Sequence, residues 1–228
     1  MMHDAYLTQD EGLLFENDAC MVINKLPGES SEFPGYKMGR GGDRLPVHRL
    51  DVPVSGCLLL ARTPEAAAFL GAAFARHEDS QVEKRYWAVV EKPSFSLPAN
   101  GELIHWLSFS SVKNKSFAYD GIGHDRKKAV LRYKIAGTGK NYLFFEIELI
   151  TGRHHQIRAQ LAALGLHIKG DLKYGASRSE KGGGIRLHAC SLAFPNPLDP
   201  EEIIKVKAKP PVMDPLWAAF AEEPAAPQ

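Results

Sequence analysis

Two short segments of this 228-residue chain carry side chains able to do chemistry. The first is His48-Arg49-Leu50-Asp51-Val52-Pro53-Val54-Ser55-Gly56, which places a carboxylate in a loop immediately before the apolar run Gly56 to Ala61. A side chain so placed is held by the strand behind it yet reachable from outside, as a nucleophile or electrostatic stabiliser must be. The plainer reading is an aspartate that pairs with Arg49 or caps a turn. The second segment is Leu149-Ile150-Thr151-Gly152-Arg153-His154-His155-Gln156-Ile157-Arg158. Here a strand feeds through Thr-Gly into a helix whose first turns carry Arg153, His154, His155, Gln156 and Arg158, suited to gripping an anion or pairing with a carboxylate. Its plainer reading is a surface helix with two ordinary arginines.

Adjacent His154 and His155, with His188 and Cys190, raise the question of a metal. Neighbouring residues on a helix point about 100° apart, so the pair is badly placed to share one ion, and no standard ligand spacing is present. The three cysteines, Cys20, Cys57 and Cys190, are isolated and read as core packing rather than as a disulfide framework or zinc site.

The elements that must position these residues follow from periodicity and turn chemistry. Cys20 to Asn24 reads as a strand ending in the turn Lys25-Leu26-Pro27-Gly28, and Glu29 to Leu45 as a loop. After the strand Gly56 to Ala61, Thr63 caps a helix over Glu65 to Arg76 with Pro64 in its first turn. Strands are expected at Lys84 to Val90, more weakly at Leu103 to Phe109, and as a hairpin of Ala129 to Ala136 with Tyr142 to Leu149. Helical spacing covers His154 to Leu164. Leu187 to Phe194 and Ile203 to Val206 are further strands, and Asp214 caps a short helix over Leu216, Trp217 and Phe220. Strands not regularly separated by helices predict an α+β fold with a largely antiparallel sheet flanked by helices and loops. A single domain is expected over 1–228, with its core at about 13–212 and a frayed tail at 222–228.

Composition narrows the class. A hydrophobic content of 44% suits a globular core, and the longest apolar runs fall far short of the roughly 20 residues that span a bilayer. The N-terminus lacks the pattern of a secretion signal, so the cytoplasm is the expected location. The net charge is only +1, but it is unevenly placed: Lys113 to Lys140 carries +6, Thr151 to Cys190 carries +5, and the remainder −10. Such a chain can turn one basic face to a polyanion, or simply solvate its loops.

Taken together, the motifs resemble the RluA-type pseudouridine synthases. Asn24-Lys25-Leu26-Pro27-Gly28 resembles that family's Asn-Lys-Pro-x-Gly with one residue inserted. His48-Arg49-Leu50-Asp51 with Ser55-Gly56 resembles its catalytic motif, and Lys84-Arg85-Tyr86-Trp87-Ala88-Val89-Val90 its tyrosine motif. Leu149 to Arg158 resembles Leu-x-Thr-Gly-Arg-x-His-Gln-Ile-Arg, running on into Gly170-Asp171-x-x-Tyr174-Gly175 and Leu187-His188-Ala189. Departures from the pattern include Val54, His154, Gln160 and His167, none of which removes the Asp, Tyr or Arg.

The resemblance implies an isomerase that converts uridine in RNA to pseudouridine without a metal or redox cofactor. Asp51 would be the nucleophile, Tyr86 would stack on the flipped uracil, and Arg158 would pair with Asp51. Arg49, Lys84, Arg153, His155, Gln156, Lys169 and Lys173 are expected to contact the RNA, ribosomal or transfer, or to position the loop that does. No membrane contact is expected, the protein is expected to be a monomer, and the family's small N-terminal S4 domain is expected to be lacking. A catalytically silent RNA-binding protein on the same scaffold is the second reading, and retention of Asp51 argues against it. A hydrolase would need a second well-placed carboxylate or a metal cluster, and neither is apparent in the sequence.

Overall fold

The computed structural model describes residues 12–32, 45–75 and 81–220. Arg76, most of the expected loop at 29–45 and the tail at 222–228 lie outside the described residues. Along the chain come β1 (Leu13–Glu16), β2 (Cys20–Lys25), β3 (Leu45–Pro46), β4 (Ser55–Ala61), α1 (Pro64–Ala75), β5 (Glu83–Glu91), β6 (Asn100–Ser110), β7 (Lys115–Tyr119), β8 (Lys127–Thr138), β9 (Tyr142–Leu149), α2 (Gln156–Ala163), a 3₁₀ turn (Leu172–Tyr174), β10 (Leu187–Asn196), β11 (Asp199–Lys207) and α3 (Pro215–Ala218).

Among the described residues the strands form one sheet in the order β1-β2-β4-β10-β5-β9-β8-β6-β7, with β11 beside β10 and β3 beside β4. Every pairing is antiparallel except β4 with β10. The largely antiparallel α+β architecture expected from the sequence is the one observed.

The central strands are buried on both faces, and alternation sorts their residues into two layers. Met21, Ile23, Leu58 and Leu60 join Tyr86, Ala88, Phe145, Ile147 and Leu161 on one side. Cys20, Val22, Cys57, Leu59 and Ala61 join Ala66, Leu70, Phe194 and Val206 on the other. α1 covers the second layer through Ala66 and Leu70, one turn apart, and the Thr63 hydroxyl accepts the Ala66 N–H at its start. All three cysteines are buried and free.

Two expectations change. The basic stretch between Phe109 and Ala129 contains a strand, β7, paired with β6 from Trp106↔Tyr119 to Ser110↔Lys115. Its short run Lys-Ser-Phe-Ala-Tyr, between lysine, glycine and aspartate residues, offers little apolar alternation to read. The helix expected from His154 begins instead at Gln156, because His155 takes the left-handed conformation with φ 51.

Candidate active site

The loop that carries Asp51 is tied down from several sides. Ser31 Oγ donates to the Leu50 carbonyl at 2.8 Å and accepts the Leu50 N–H at 2.9 Å. The Val54 N–H returns to the Asp51 carbonyl at 2.9 Å, closing a turn, and Ile185 N–H reaches Pro53 O at 3.0 Å. Lys25, fully buried, donates from Nζ to the carbonyls of Leu26, Glu29 and Val52 at 2.8, 3.0 and 3.3 Å. His48 Nε2 accepts the Leu59 N–H at 3.0 Å while its ring stacks on Phe74 at 4.9 Å. Burial, then the nearby Lys84 charge, pulls the His48 imidazole down to about 3, so it serves as a neutral acceptor.

Asp51 opens into a pocket of about 380 Å³, bounded by the 47–51 loop, the end of α1, Lys84 and Tyr86 of β5, and the turn from Gly152 to Arg158. Arg158 Nη1 donates to Asp51 Oδ2 at 2.9 Å. Its other two nitrogens face Asp171: Nε donates to Asp171 Oδ2 at 2.7 Å and Nη2 to Asp171 Oδ1 at 2.8 Å. Burial opposes a charged guanidinium here, but the two carboxylates outweigh it and raise the pKa of Arg158 above its ordinary value.

Tyr86 is buried and lines the same pocket. Burial first, and the Asp51 charge second, push its phenol far up, so it presents a neutral ring. Lys84, two residues earlier on the same face of β5, is also buried; burial and then Arg153 bring its ammonium down to about 8.

His155 lies with Nε2 at 3.7 Å from Asp51 Oδ2 and Nδ1 at 3.0 Å from the Tyr174 hydroxyl. Burial, then Arg158, depresses it to about 3, so the contact with Asp51 is that of a neutral imidazole rather than an ion pair. Its neighbour does not diverge from it as helical geometry would require. Both residues precede the helix, and the His154 and His155 rings stack at 3.8 Å. Among the described residues no group of three metal-ligating side chains occurs.

The structure therefore brings Asp51, Tyr86, Arg158, Arg49, Lys84, Arg153, His155 and Gln156 to one cavity. Three of the residues expected to contact RNA or to position its loop are engaged with the protein itself. Gln156 is buried and spent on the protein: its Oε1 accepts from Thr151 Oγ1 at 2.7 Å and Arg153 N at 2.9 Å, and its Nε2 donates to Val130 O and Gln160 Oε1. It ties the turn and leaves nothing for RNA. Lys169 does not line the cavity and pairs with Glu180, which also holds Arg186. Lys173 lies outside the cavity as well, exposed, with Nζ donating to Asn114 O at 3.1 Å. Asp171, Tyr174 and Lys25 were not singled out by sequence as site residues; the one signal was their place in the Gly170-Asp171-x-x-Tyr174-Gly175 and Asn24-Lys25 motifs.

Comparison with known proteins places this site in context. A model of the RNA pseudouridylate synthase family matches residues 30–163. The chain is 35% identical over 219 residues to an uncharacterized RNA pseudouridine synthase of Zymomonas mobilis, covering 93% of each. It is 33% identical to ribosomal large subunit pseudouridine synthase D of the same organism, covering 86% of this chain and 66% of that protein. It is 29% identical to tRNA pseudouridine synthase C of Vibrio cholerae, covering 94% of this chain and 93% of that one. The fold is shared with human RNA pseudouridylate synthase domain containing 1, at a TM-score of 0.73 and 21% identity over 95% of this chain and 90% of that one.

Proposed function

This chain belongs to the RNA pseudouridylate synthase family and isomerises uridine in RNA to pseudouridine; we propose that it does so with Asp51 as nucleophile, Arg158 as its charge partner and Tyr86 as the platform for the target base. The reaction breaks the N1–C1′ bond, forms a C5–C1′ bond, and moves the displaced C5 hydrogen off the ring while N1 gains one, so neither an oxidant nor a co-substrate is consumed. The observation that carries the assignment is that Asp51 is the only carboxylate among the described residues lining the pocket, with one oxygen on Arg158 and an aromatic ring in the same cavity.

A uridine inside a duplex cannot reach such a recess, so the base is extruded, at a cost of a few kcal/mol. Stacking on Tyr86 offsets part of that cost, at about 1–3 kcal/mol per base. Arg49, Lys84 and Arg153 contact the flanking phosphates, the usual destination of basic side chains in such interfaces. His155 holds the loop beside Asp51. The protein acts as a single-domain monomer in the cytoplasm on ribosomal or transfer RNA.

The test is to map pseudouridine across total RNA from cells with the gene, without it, and with Asp51→Asn. A site that vanishes equally in the last two identifies the substrate and supports the assignment. A map unchanged by Asp51→Asn while the deletion loses a site overturns the role of Asp51.

A further inference from the structure

We infer that Asp171 and Tyr174 are positioning residues whose task is to aim Arg158, so that a single guanidinium nitrogen meets Asp51. The inference rests on the reading of Asp51 and Arg158 given above and adds to it what fixes their geometry.

Asp171 and Tyr174 stand three residues apart around the 3₁₀ turn Leu172–Tyr174, which Tyr174 N–H closes onto the Asp171 carbonyl at 3.0 Å. A 3₁₀ turn has three residues per turn, so side chains at this spacing stand on one face. Both reach Arg158: the Asp171 carboxylate in line with Nε and Nη2, and the Tyr174 ring at 4.8 Å from the guanidinium carbon. The ring is itself pinned, since the Tyr174 hydroxyl accepts the Ser116 N–H at 3.0 Å and lies 3.0 Å from His155 Nδ1. Glycines close both ends of the segment with φ of +90 at Gly170 and +98 at Gly175, a conformation that permits so short a turn.

The consequence is chemical. Arg158 and Asp171 are 4% and 2% exposed, so their two-pronged pair is dry and fixes the guanidinium plane. Held in that plane, Arg158 meets Asp51 through Nη1 alone, on one carboxylate oxygen. Oδ2 is held, and Oδ1 of Asp51 is left free of Arg158 to act toward the substrate. Without Asp171 the fork is free to turn and close on Asp51 with two nitrogens, engaging the oxygen that must react.

The experiment uses the full chain and measures release of the C5 hydrogen from total RNA labelled at uridine C5 with tritium, taken from cells lacking the gene, as a function of RNA concentration. Asp171→Asn is expected to lower the rate at saturating RNA on the order of a hundredfold, the scale set by misplacing a reacting group. The half-saturating RNA concentration is expected to stay near the wild-type value, because Asp171 lies outside the pocket. The double variant Asp171→Asn with Arg158→Met, which leaves no unpaired buried charge, is expected to be no slower than Arg158→Met alone. Losses that multiply in the double variant, or turnover by Asp171→Asn near wild type, would overturn the inference. If Asp171→Asn does not fold, Asp171→Glu replaces it under the same two outcomes, since the longer arm moves the fork while keeping the charge. A wild-type protein that releases no tritium would instead sink the proposed function, which keeps the two failures apart.

Discussion

Gly56 of β4 lies directly against Ala189 of β10: a Cβ built on Gly56 would sit 2.3 Å from the Ala189 carbonyl oxygen and 2.6 Å from its nitrogen. This is where the sheet has its one parallel pairing among the described strands, Ser55 with His188 and Gly56 with Ala189. The close crossing sets the point at which the chain leaves the Asp51 loop and enters the core. With φ at +117, Gly56 also holds a backbone conformation that other residues resist. Gly56→Ala is therefore expected to destabilise the protein by more than about 3 kcal/mol, read as a fall in the urea midpoint. Gly28→Ala, at φ +90 but with nothing within 4 Å, is the control and should lose about 1–2 kcal/mol. Equal losses for the two would contradict the packing argument.

Arg158 and Arg153 line one pocket but are held differently. Arg158 is buried between two carboxylates, whereas Arg153 is half-buried with its Nε on the Lys128 carbonyl at 3.1 Å. Arg158→Met is expected to lower turnover by about two orders of magnitude, the scale of a lost charged hydrogen bond of roughly 2–3 kcal/mol. It should also lose about 3–5 kcal/mol of stability by leaving Asp171 buried without its partner. Arg153→Met is expected to raise the half-saturating RNA concentration within about tenfold and leave turnover nearly intact, as for a phosphate contact. Comparable losses of turnover in the two variants would contradict the pairing role of Arg158.

Three histidines with depressed pKa values make stability sensitive to acid. His48 and His155 are depressed to about 3 and His188 to about 4, in each case chiefly by burial. The unfolded chain protonates these groups near their ordinary value of 6.5, while the folded chain does not, so between pH 6.5 and about 4 the unfolded state binds more protons. Stability present above pH 6.5 is thus lost as pH falls, with a slope approaching about 1.4 kcal/mol per pH unit for each histidine. His188 Nε2 lies 3.1 Å from Ala208 O, so Nε2 carries the hydrogen and Nδ1 accepts from the Ser55 hydroxyl at 2.9 Å; protonation of Nδ1 breaks that bond. Urea titrations at several pH values read the slope. His48→Gln, which keeps an acceptor for Leu59 N–H without titrating in this range, should flatten it by about one histidine's share. A slope unchanged by His48→Gln would contradict the assignment of His48 as a neutral acceptor.

How much of this was legible beforehand varied with the kind of information each residue carries. Strands such as β4 and β9 announced themselves because long apolar runs next to turn residues leave little alternative, and Asp51, Tyr86 and Arg158 fell within motifs of fixed spacing. The start of α2 was misplaced by two residues because propensity does not show that the Gln156 side chain would claim the Arg153 N–H and hold His155 in a left-handed turn. Lys169 resembled a free phosphate ligand because Glu180, eleven residues away, becomes its partner only through the fold. Asp171 stood in the sequence within a motif but with no partner named for it. Its role is visible only once α2 and the 3₁₀ turn bring Arg158 and Asp171 together.

The central claim concerns the carboxylate of Asp51. Asp51→Asn preserves the size of the side chain and leaves Arg158 paired with Asp171, so its melting temperature and affinity for RNA should stay close to wild type. The decisive measurement is pseudouridine formed per enzyme by purified Asp51→Asn, on the RNA that the mapping identifies. The expected result is a loss of at least about three orders of magnitude. Product formation near the wild-type rate by a folded, RNA-binding Asp51→Asn protein would contradict the account.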